Sequence, residues 1–245
     1  MTTVSTRRRV LAGAALAAGL FCTTAPAFAA LTSPEATAYV VSADALNGAA
    51  AVPPQPLSTY PPGGTVTEIG LTVGPFATNS TLTATTAGDP AAGTSSASAT
   101  VDQLGITFGP TLSAALTGVN STCDATPNGA TGNGVIAGGT VTILGIPTTL
   151  QANAPVNTGV NLPGLGELIL NEQSTDANGV LTVNAVHFTL LPALGGANVI
   201  VGHVECGGAP PAGTVPMINT KVGVIGGSLA AATVLGTAYL RRRRA

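Results

Sequence analysis

Basic side chains are missing from most of this 245-residue chain, and their absence is the feature that most limits its fold. All eight Lys and Arg residues lie near the two ends, so residues 10–220 contain none. Exposed helices are commonly supported by Glu and Lys pairs four residues apart, which this segment cannot form. It is rich instead in Thr, Val, Ala and Gly, and β-branched residues favour strands. The pattern predicts an all-β domain.

The acidic residues have the opposite distribution. All ten lie between Glu35 and Glu205, so the middle of the chain is purely anionic although the formal net charge is only −2. A nucleic-acid-binding surface needs cations to replace the counterions of the phosphate backbone. We therefore expect no nucleic-acid partner for this region, and a solvated anionic surface.

The N-terminus has the layout of a secretory signal peptide. Three arginines at positions 7–9 precede an apolar run at 10–22, and small residues follow where signal peptidase cleaves. We expect cleavage between Ala29 and Ala30, which makes residues 1–29 the signal peptide. The arginines also partly fit a twin-arginine signal, and a retained membrane helix is a further alternative.

The C-terminus has the layout of a single-pass membrane anchor. The uncharged residues 222–240 would form a helix about 28 Å long, close to the thickness of the hydrocarbon core. Because the heavier basic cluster stays in the cytoplasm, residues 241–245 are expected inside and the domain outside. The anchor is bounded by Val222, Leu240, Arg241, Arg242, Arg243 and Arg244. We expect an exported protein held at the cell membrane or cell surface.

Other interpretations of this end stay open. Sortase-anchored proteins share the layout, but the Pro/Gly-rich stalk at residues 207–221 lacks a Leu-Pro-x-Thr-Gly motif, although a variant motif is an alternative. A helix buried in the domain is a third interpretation. Gly223 and Gly227 form a Gly-x-x-x-Gly pair, which can bring two spans close together or arise by chance in a Gly-rich run.

The exported domain, residues 30–206, is predicted to be an antiparallel β-sandwich or barrel-like fold. Segments 52–56 and 61–64 are proline-rich and predict loops, and Asn178-Gly179 predicts a hairpin turn with positive φ at both residues. The clearest strand-like runs are residues 36–42, 65–73, 81–86, 97–104, 112–123, 140–144, 167–173, 180–191 and 199–206.

Two cysteines remain after removal of the signal peptide. An even pair outside the membrane predicts a disulfide between Cys123 and Cys206, with free thiols as the alternative. Closing a loop of roughly 84 residues contributes about 4.5 kcal/mol to the free energy of unfolding in the loop-entropy model.

The last two strand-like runs place the histidines. If Leu191 faces Val199 across a loop, His187 and His203 are directly opposed, with Glu205 on the same face. Such a pair and a carboxylate can bind a transition metal. Plain cross-strand packing is the alternative, and a register shift by one residue would place the histidines on opposite faces.

Several segments resemble the choice-of-anchor P family of exported actinobacterial surface proteins. The similar segments read ATAY (36–39), SAD (42–44), PPGG (61–64), LPGLG (162–166), LNEQ (170–173), VNAVH (183–187) and VIVGHVEC (199–206). The resemblance implies an exported domain whose C-terminal anchor varies among members. It implies no catalytic residue.

The residues themselves also carry no catalytic signature. The chain lacks a nucleophile elbow with triad partners, a phosphate-binding loop and a zinc-ligand cluster. We expect no catalytic residue and no cofactor, and a structural or interaction domain displayed at the cell surface with a cell-envelope partner. An extracellular ligand- or metal-binding module is the first alternative, and a secreted hydrolase-like enzyme is the second.

Overall fold

The computed structural model describes residues 31–45, 50–108, 112–192 and 196–210, which form β-strands and no α-helix. The strands are β1 (Glu35–Ala45), β2 (Ala50–Tyr60), β3 (Gly64–Val73), β4 (Phe76–Asp89), β5 (Thr94–Phe108), β6 (Leu112–Thr126), β7 (Gly129–Val135), β8 (Gly138–Ile143), β9 (Ile146–Leu150), β10 (Thr158–Leu162), β11 (Gly166–Thr175), β12 (Leu181–Leu190) and β13 (Ala197–Gly207).

The strands form two antiparallel sheets that pack face to face. Sheet 1 has the order β10-β11-β12-β13-β1-β2, and sheet 2 has the order β3-β4-β5-β6-β8-β9 with β7 also paired to β6. Inward side chains of both sheets form one apolar core, in which Phe76 and Phe188 are among the largest fully buried side chains. Burying one such ring contributes about 2–3 kcal/mol. The all-β prediction is therefore confirmed.

Two strands contain prolines and are not predicted as strands from the sequence. The segment predicted as a loop at residues 52–56 lies inside β2, and Pro147 lies inside β9. Each strand is the last of its sheet, where a proline without an N–H group costs no ladder hydrogen bond. The loop prediction is wrong for β2 because position in the sheet decides whether proline is tolerated.

The strands β7 and β10 are also not predicted from the sequence, and for β7 the reason is its glycine content. A Cβ atom at Gly132 would lie 2.7 Å from a methyl group of Val183, and one at Gly134 would lie 2.9 Å from the Cα of Ala185. These glycines let β7 approach β12 closely, and they also remove the apolar alternation that identifies a strand.

The predicted cysteine pair joins the two sheets. Cys123 of β6 and Cys206 of β13 are both buried, and their Cα atoms lie 5.9 Å apart in a disulfide. The bond therefore connects a central strand of sheet 1 to a central strand of sheet 2.

The predicted hairpin connects β11 and β12, with a different turn geometry. Only Gly179 has positive φ, at 84°, so the expected positive φ at Asn178 is not found. The N–H group of Gly179 donates to the carbonyl of Asp176, as in a type I turn followed by a left-handed residue. Hydrogen bonds from the backbone of Val180 and Asn178 hold the pKa of the Asp176 carboxyl below its usual value.

The chain leaves the domain at what we call the proximal end, defined by the turns at residues 90–93, 127–128 and 176–179. There the N–H group of Ala209 donates to the carbonyl of Gly93 over 3.1 Å. The backbone is therefore held on the domain close to the last described residue.

The distal end, which carries the turns at residues 74–75 and 163–165, also carries exposed apolar side chains. Leu144 and Ile146, at the tip of the β8–β9 hairpin, are 69% and 71% exposed. Leu144 and Gly145 have φ values of 49° and 82°, which is the geometry of a tight two-residue turn.

Three predicted segments lie wholly or partly outside the described residues. These are the signal peptide (1–29), the span (222–240) and most of the stalk (207–221), which is described only as far as residue 210. Among the described residues, no helix has the length and apolar character needed to cross a membrane.

Candidate functional site

A kink across sheet 1 decides which residues reach its outer face. Asn171 and Gly202 have positive φ, at 49° and 64°, and the ladders of β11, β12, β13 and β1 all skip one row at this level. In β13 the core side chains nearest to the kink on either side are Val201 and Val204. Both are fully buried, and they are three residues apart instead of two. The alternation therefore changes phase, and His203 faces outward.

Sheet 2 holds the kink in place at Gly202. A Cβ atom there would lie 3.0 Å from both the Ser121 hydroxyl and a methyl group of Val119. The Ser121 hydroxyl donates to the Gly202 carbonyl over 2.6 Å, which satisfies a buried oxygen outside the ladder. On the neighbouring strand β12, Phe188 pairs with Val199 and not with Gly202.

The other end of the kink is held by the side chain of Asn171. Its Oδ1 atom accepts hydrogen bonds from the N–H group of Gly134 and from Gln173, both over 2.9 Å. Its amide donates to the carbonyl of Ala154 and to Asn133. The buried amide is thus fully bonded, and it fastens β11 to β7 of the opposite sheet.

Outside the kink, a continuous chain of polar contacts crosses three strands of sheet 1. Glu172 accepts hydrogen bonds from His187 Nδ1 and from the amide of Asn184, each over 2.7 Å. The far nitrogen of His187 lies 2.6 Å from Asn198 Oδ1. Asn184 also lies 2.7 Å from His203 Nδ1, so it links the two histidines indirectly. We call these five residues, together with Glu205, the imidazole–carboxylate chain.

The hydrogen-bond inventory assigns the proton on His203. An ionised Glu172 can only accept, so the Asn184 amide nitrogen must face it and the Asn184 carbonyl must face His203. His203 Nδ1 therefore carries a hydrogen. Its Nε2 atom lies 3.5 Å from Glu205 Oε1, and it can donate there only when the ring is doubly protonated.

Glu205 and Tyr39 close the chain on its proximal side. Hydrogen-bond donation from the doubly protonated His203 ring lowers the pKa of Glu205 below its usual range, against the opposing effect of burial, and the Thr182 hydroxyl acts in the same direction. Tyr39 stacks on the His203 ring with centroids 4.3 Å apart. Burial raises the pKa of the Tyr39 phenol, a hydrogen bond with Ser42 opposes this, and the charge of Glu205 raises it further.

The predicted pairing of the histidines is wrong. The register differs by three residues, so His187 lies opposite Ile200 and His203 lies opposite Asn184. Both rings still share the outer face, because the kink shifts the alternation between them. Of the three proposed metal ligands, only His203 and Glu205 are neighbours.

The described residues contain no group of three or more His, Cys, Asp or Glu side chains arranged to hold a metal ion. In the same part of the chain, neither imidazole contacts a hydroxyl or thiol nucleophile, and their partners are carboxylates and amides. The arrangement can hold the outer face of sheet 1 rigid.

Sequence reasoning missed Glu172, Asn184, Asn198 and Tyr39 as members of this site. A signal was present, because Val183-Asn184-Ala185-Val186 interrupts strict alternation within a strand, which is typical of a bulge. A buried asparagine in such a run also requires polar partners. Comparisons of the chain with protein-family models, with curated proteins and with solved structures find no match.

Proposed function

We propose that this protein is a cell-surface structural or interaction domain without a catalytic role, displayed outside the membrane by a C-terminal anchor. The observation that carries the proposal is the position of the chain exit. Ala209 is hydrogen-bonded to Gly93 at the proximal end, whereas the exposed Leu144 and Ile146 lie at the distal end. A domain held by its C-terminus would present that apolar tip away from its attachment.

The disulfide supports a tethered role. β13 lies between β12 and β1, and Cys206 of this strand is bonded to Cys123 in the other sheet, four residues before the end of the described chain at Pro210. A pull on the stalk therefore reaches both sheets at Cys206, after only the Gly207–Glu35 pair of the β13 ladder.

The sequence supports the rest of the topology. The signal peptide at residues 1–29, the span at 222–240 and the basic tail at 241–245 orient the domain outside and the tail in the cytoplasm. The resemblance of residues 199–206 to choice-of-anchor P proteins agrees with an exported domain. Its partners are then the membrane, through the anchor, and a component of the cell envelope.

An extracellular ligand-binding module is the second candidate function. It is favoured by the concentration of imidazole and carboxylate groups on one outer face, where Glu172, His187, His203 and Glu205 are linked. Uncharged or cationic ligands suit this face, because the described residues include no Lys or Arg.

Protease treatment of intact cells tests the display. In cells that produce the full chain, external protease should cut the stalk and release the domain, while a C-terminal peptide stays in the membrane fraction after an alkaline wash. Mass spectrometry should find Ala30 as the first residue. Deletion of residues 222–245 should send the domain into the medium.

A domain protected from external protease, or a full-length chain in the cytosolic fraction, would overturn the proposal. A domain found covalently on the cell wall without residues 222–245 would replace the retained anchor by sortase-type processing.

A further inference from the structure

The outer face of sheet 2 carries two straight rows of polar side chains, seven with a hydroxyl group and one, Asn120, with an amide. In the first row Thr65, Thr85, Ser98 and Thr122 lie directly opposite one another on β3, β4, β5 and β6. Neighbouring strands lie about 4.8 Å apart, so the row presents a hydroxyl group at that interval.

The second row repeats the first two residues further along each strand. Thr67, Thr83, Thr100 and Asn120 are also direct partners in the same ladders. Residues two apart on a strand are separated by about 6.7 Å, which sets the distance between the rows. We call these eight residues the hydroxyl rows.

The hydroxyl rows face solvent, because on β4, β5 and β6 the residues between them face the core. Ala84, Ala99 and Ser121, which alternate with row members, are fully buried. All eight row residues are exposed or half-buried. The described residues show one side-chain hydrogen bond within the rows, between Thr65 and Thr85 over 3.0 Å. Most of the polar groups are therefore available to a ligand, and β-branched threonines hold them in few rotamers.

The charge of the protein restricts the ligand. The rows contain no ionisable side chain, and the described residues contain no Lys or Arg, so a polymer of phosphate, sulfate or carboxylate groups finds no counter-charge. Rows of hydroxyl and amide groups match a ligand whose surface consists of hydroxyl groups. A pyranose ring advances an extended β-1,4-linked polysaccharide by a distance close to the strand spacing.

We propose that the hydroxyl rows bind a neutral, extended polysaccharide that runs across β3, β4, β5 and β6 with about one sugar per strand. A flexible linear polymer can follow the right-handed twist of the sheet, which a rigid planar surface cannot. The rows contain no aromatic ring for stacking, so affinity per site is low, with a Kd of about 1 mM. The inference depends on the proposed surface display only for access to such a polymer in the cell.

Titration of the full-length protein in neutral detergent with cellohexaose and with hexa-N-acetylchitohexaose, both uncharged, tests the inference. Binding by either is expected, with NMR shift changes confined to β3–β6. The curved isomer maltohexaose should not bind. The variant Thr83→Val/Thr100→Val keeps side-chain shape and removes two central hydroxyls, so it should weaken binding at least tenfold. Thr142→Val, on β8 of the same sheet and outside the rows, is the matched control and should bind normally.

Absence of binding to both extended hexasaccharides would overturn the inference, as would equal binding by the double variant. Preferential binding of heparin, an anionic polymer, would also overturn it. Urea unfolding of each variant shows whether the fold is intact, and Thr85→Val replaces the double variant if it is not. Since the titration needs no cell, its failure is distinguishable from failure of the protease test of surface display.

Discussion

The hydroxyl group of Ser121 in sheet 2 donates a 2.6 Å hydrogen bond to the carbonyl of Gly202 in sheet 1, at the residue where β13 changes phase. Both residues are buried. The contact joins the sheets at the kink that turns His203 outward. The outer face of sheet 1 is therefore determined partly by a residue of the other sheet.

Gly202→Ala should destabilise the domain by about 2–3 kcal/mol, because a side chain at φ 64° is strained and its Cβ would crowd Ser121 and Val119. Gly179→Ala is the matched control. It also has positive φ, but no atom lies within 4 Å of its Cβ position, so only the backbone cost of about 1 kcal/mol applies. Urea unfolding measures both, and equal losses would contradict the role of close packing at Gly202.

Asn184→Leu should cost about 1–3 kcal/mol, because it keeps the side-chain volume and removes one hydrogen-bond partner from each of Glu172 and His203 in a largely buried site. Asn198→Ala, at the exposed end of the imidazole–carboxylate chain, should cost less than half as much. Chemical denaturation at neutral pH compares them. The NMR signals of His203 should shift in the first variant and stay near their normal positions in the second.

Acid should remove a part of the stability that depends on Glu205. The folded-state pKa of this carboxyl is lowered, so its contribution is complete above the usual Glu pKa of about 4.3 and is lost as the pH falls through the lowered value. Glu205→Gln has no carboxylate and therefore lacks this pH-dependent contribution to stability. The difference in unfolding free energy between the wild type and this variant should therefore shrink from about pH 5 to pH 3. A constant difference over that range would show that His203 does not stabilise the carboxylate.

Removal of the disulfide with Cys123→Ser/Cys206→Ser should lower the unfolding free energy by about 4 kcal/mol, since the bond closes a loop with a sequence separation of 83. Thermal unfolding measures the loss. In the native protein, neither Cys123 nor Cys206 should react with a thiol reagent before reduction. Rapid labelling of both would contradict the bond.

Leu144→Asn should stabilise the domain by about 0.5–1 kcal/mol, because asparagine tolerates the positive φ of the β8–β9 turn better than leucine does. Ile146→Thr, at the same exposed tip but without positive φ, should change stability little. If Leu144→Asn is destabilising instead, the leucine must pack on a surface that the described residues do not show.

The strands with alternating apolar residues were predictable, and β5, β6 and β12 are found where the sequence indicated them. β2 and β7 were not predictable, because prolines at an edge and glycines at a close approach both resemble loop composition. For the candidate site, His187, His203 and Glu205 were identified as candidates. Their real partners were not identified, because Asn184 meets His203 only in a β12–β13 register three residues away from the expected one, and Glu172 and Tyr39 lie on the neighbouring strands β11 and β1.

The sequence by itself determined the properties that depend on local pattern and composition. These are the all-β class and the lack of cations in the central region, since strand propensity acts over neighbouring residues and charge is read from composition, together with the Cys123–Cys206 pair, which follows from the cysteine count. Only the tertiary structure decided the kink through Asn171 and Gly202, and with it the contacts of both histidines. The reason is physical: a kink is retained only where the opposite sheet satisfies the freed backbone groups and leaves room for the glycine. At Gly202 this depends on Ser121, which is 81 positions away in the sequence.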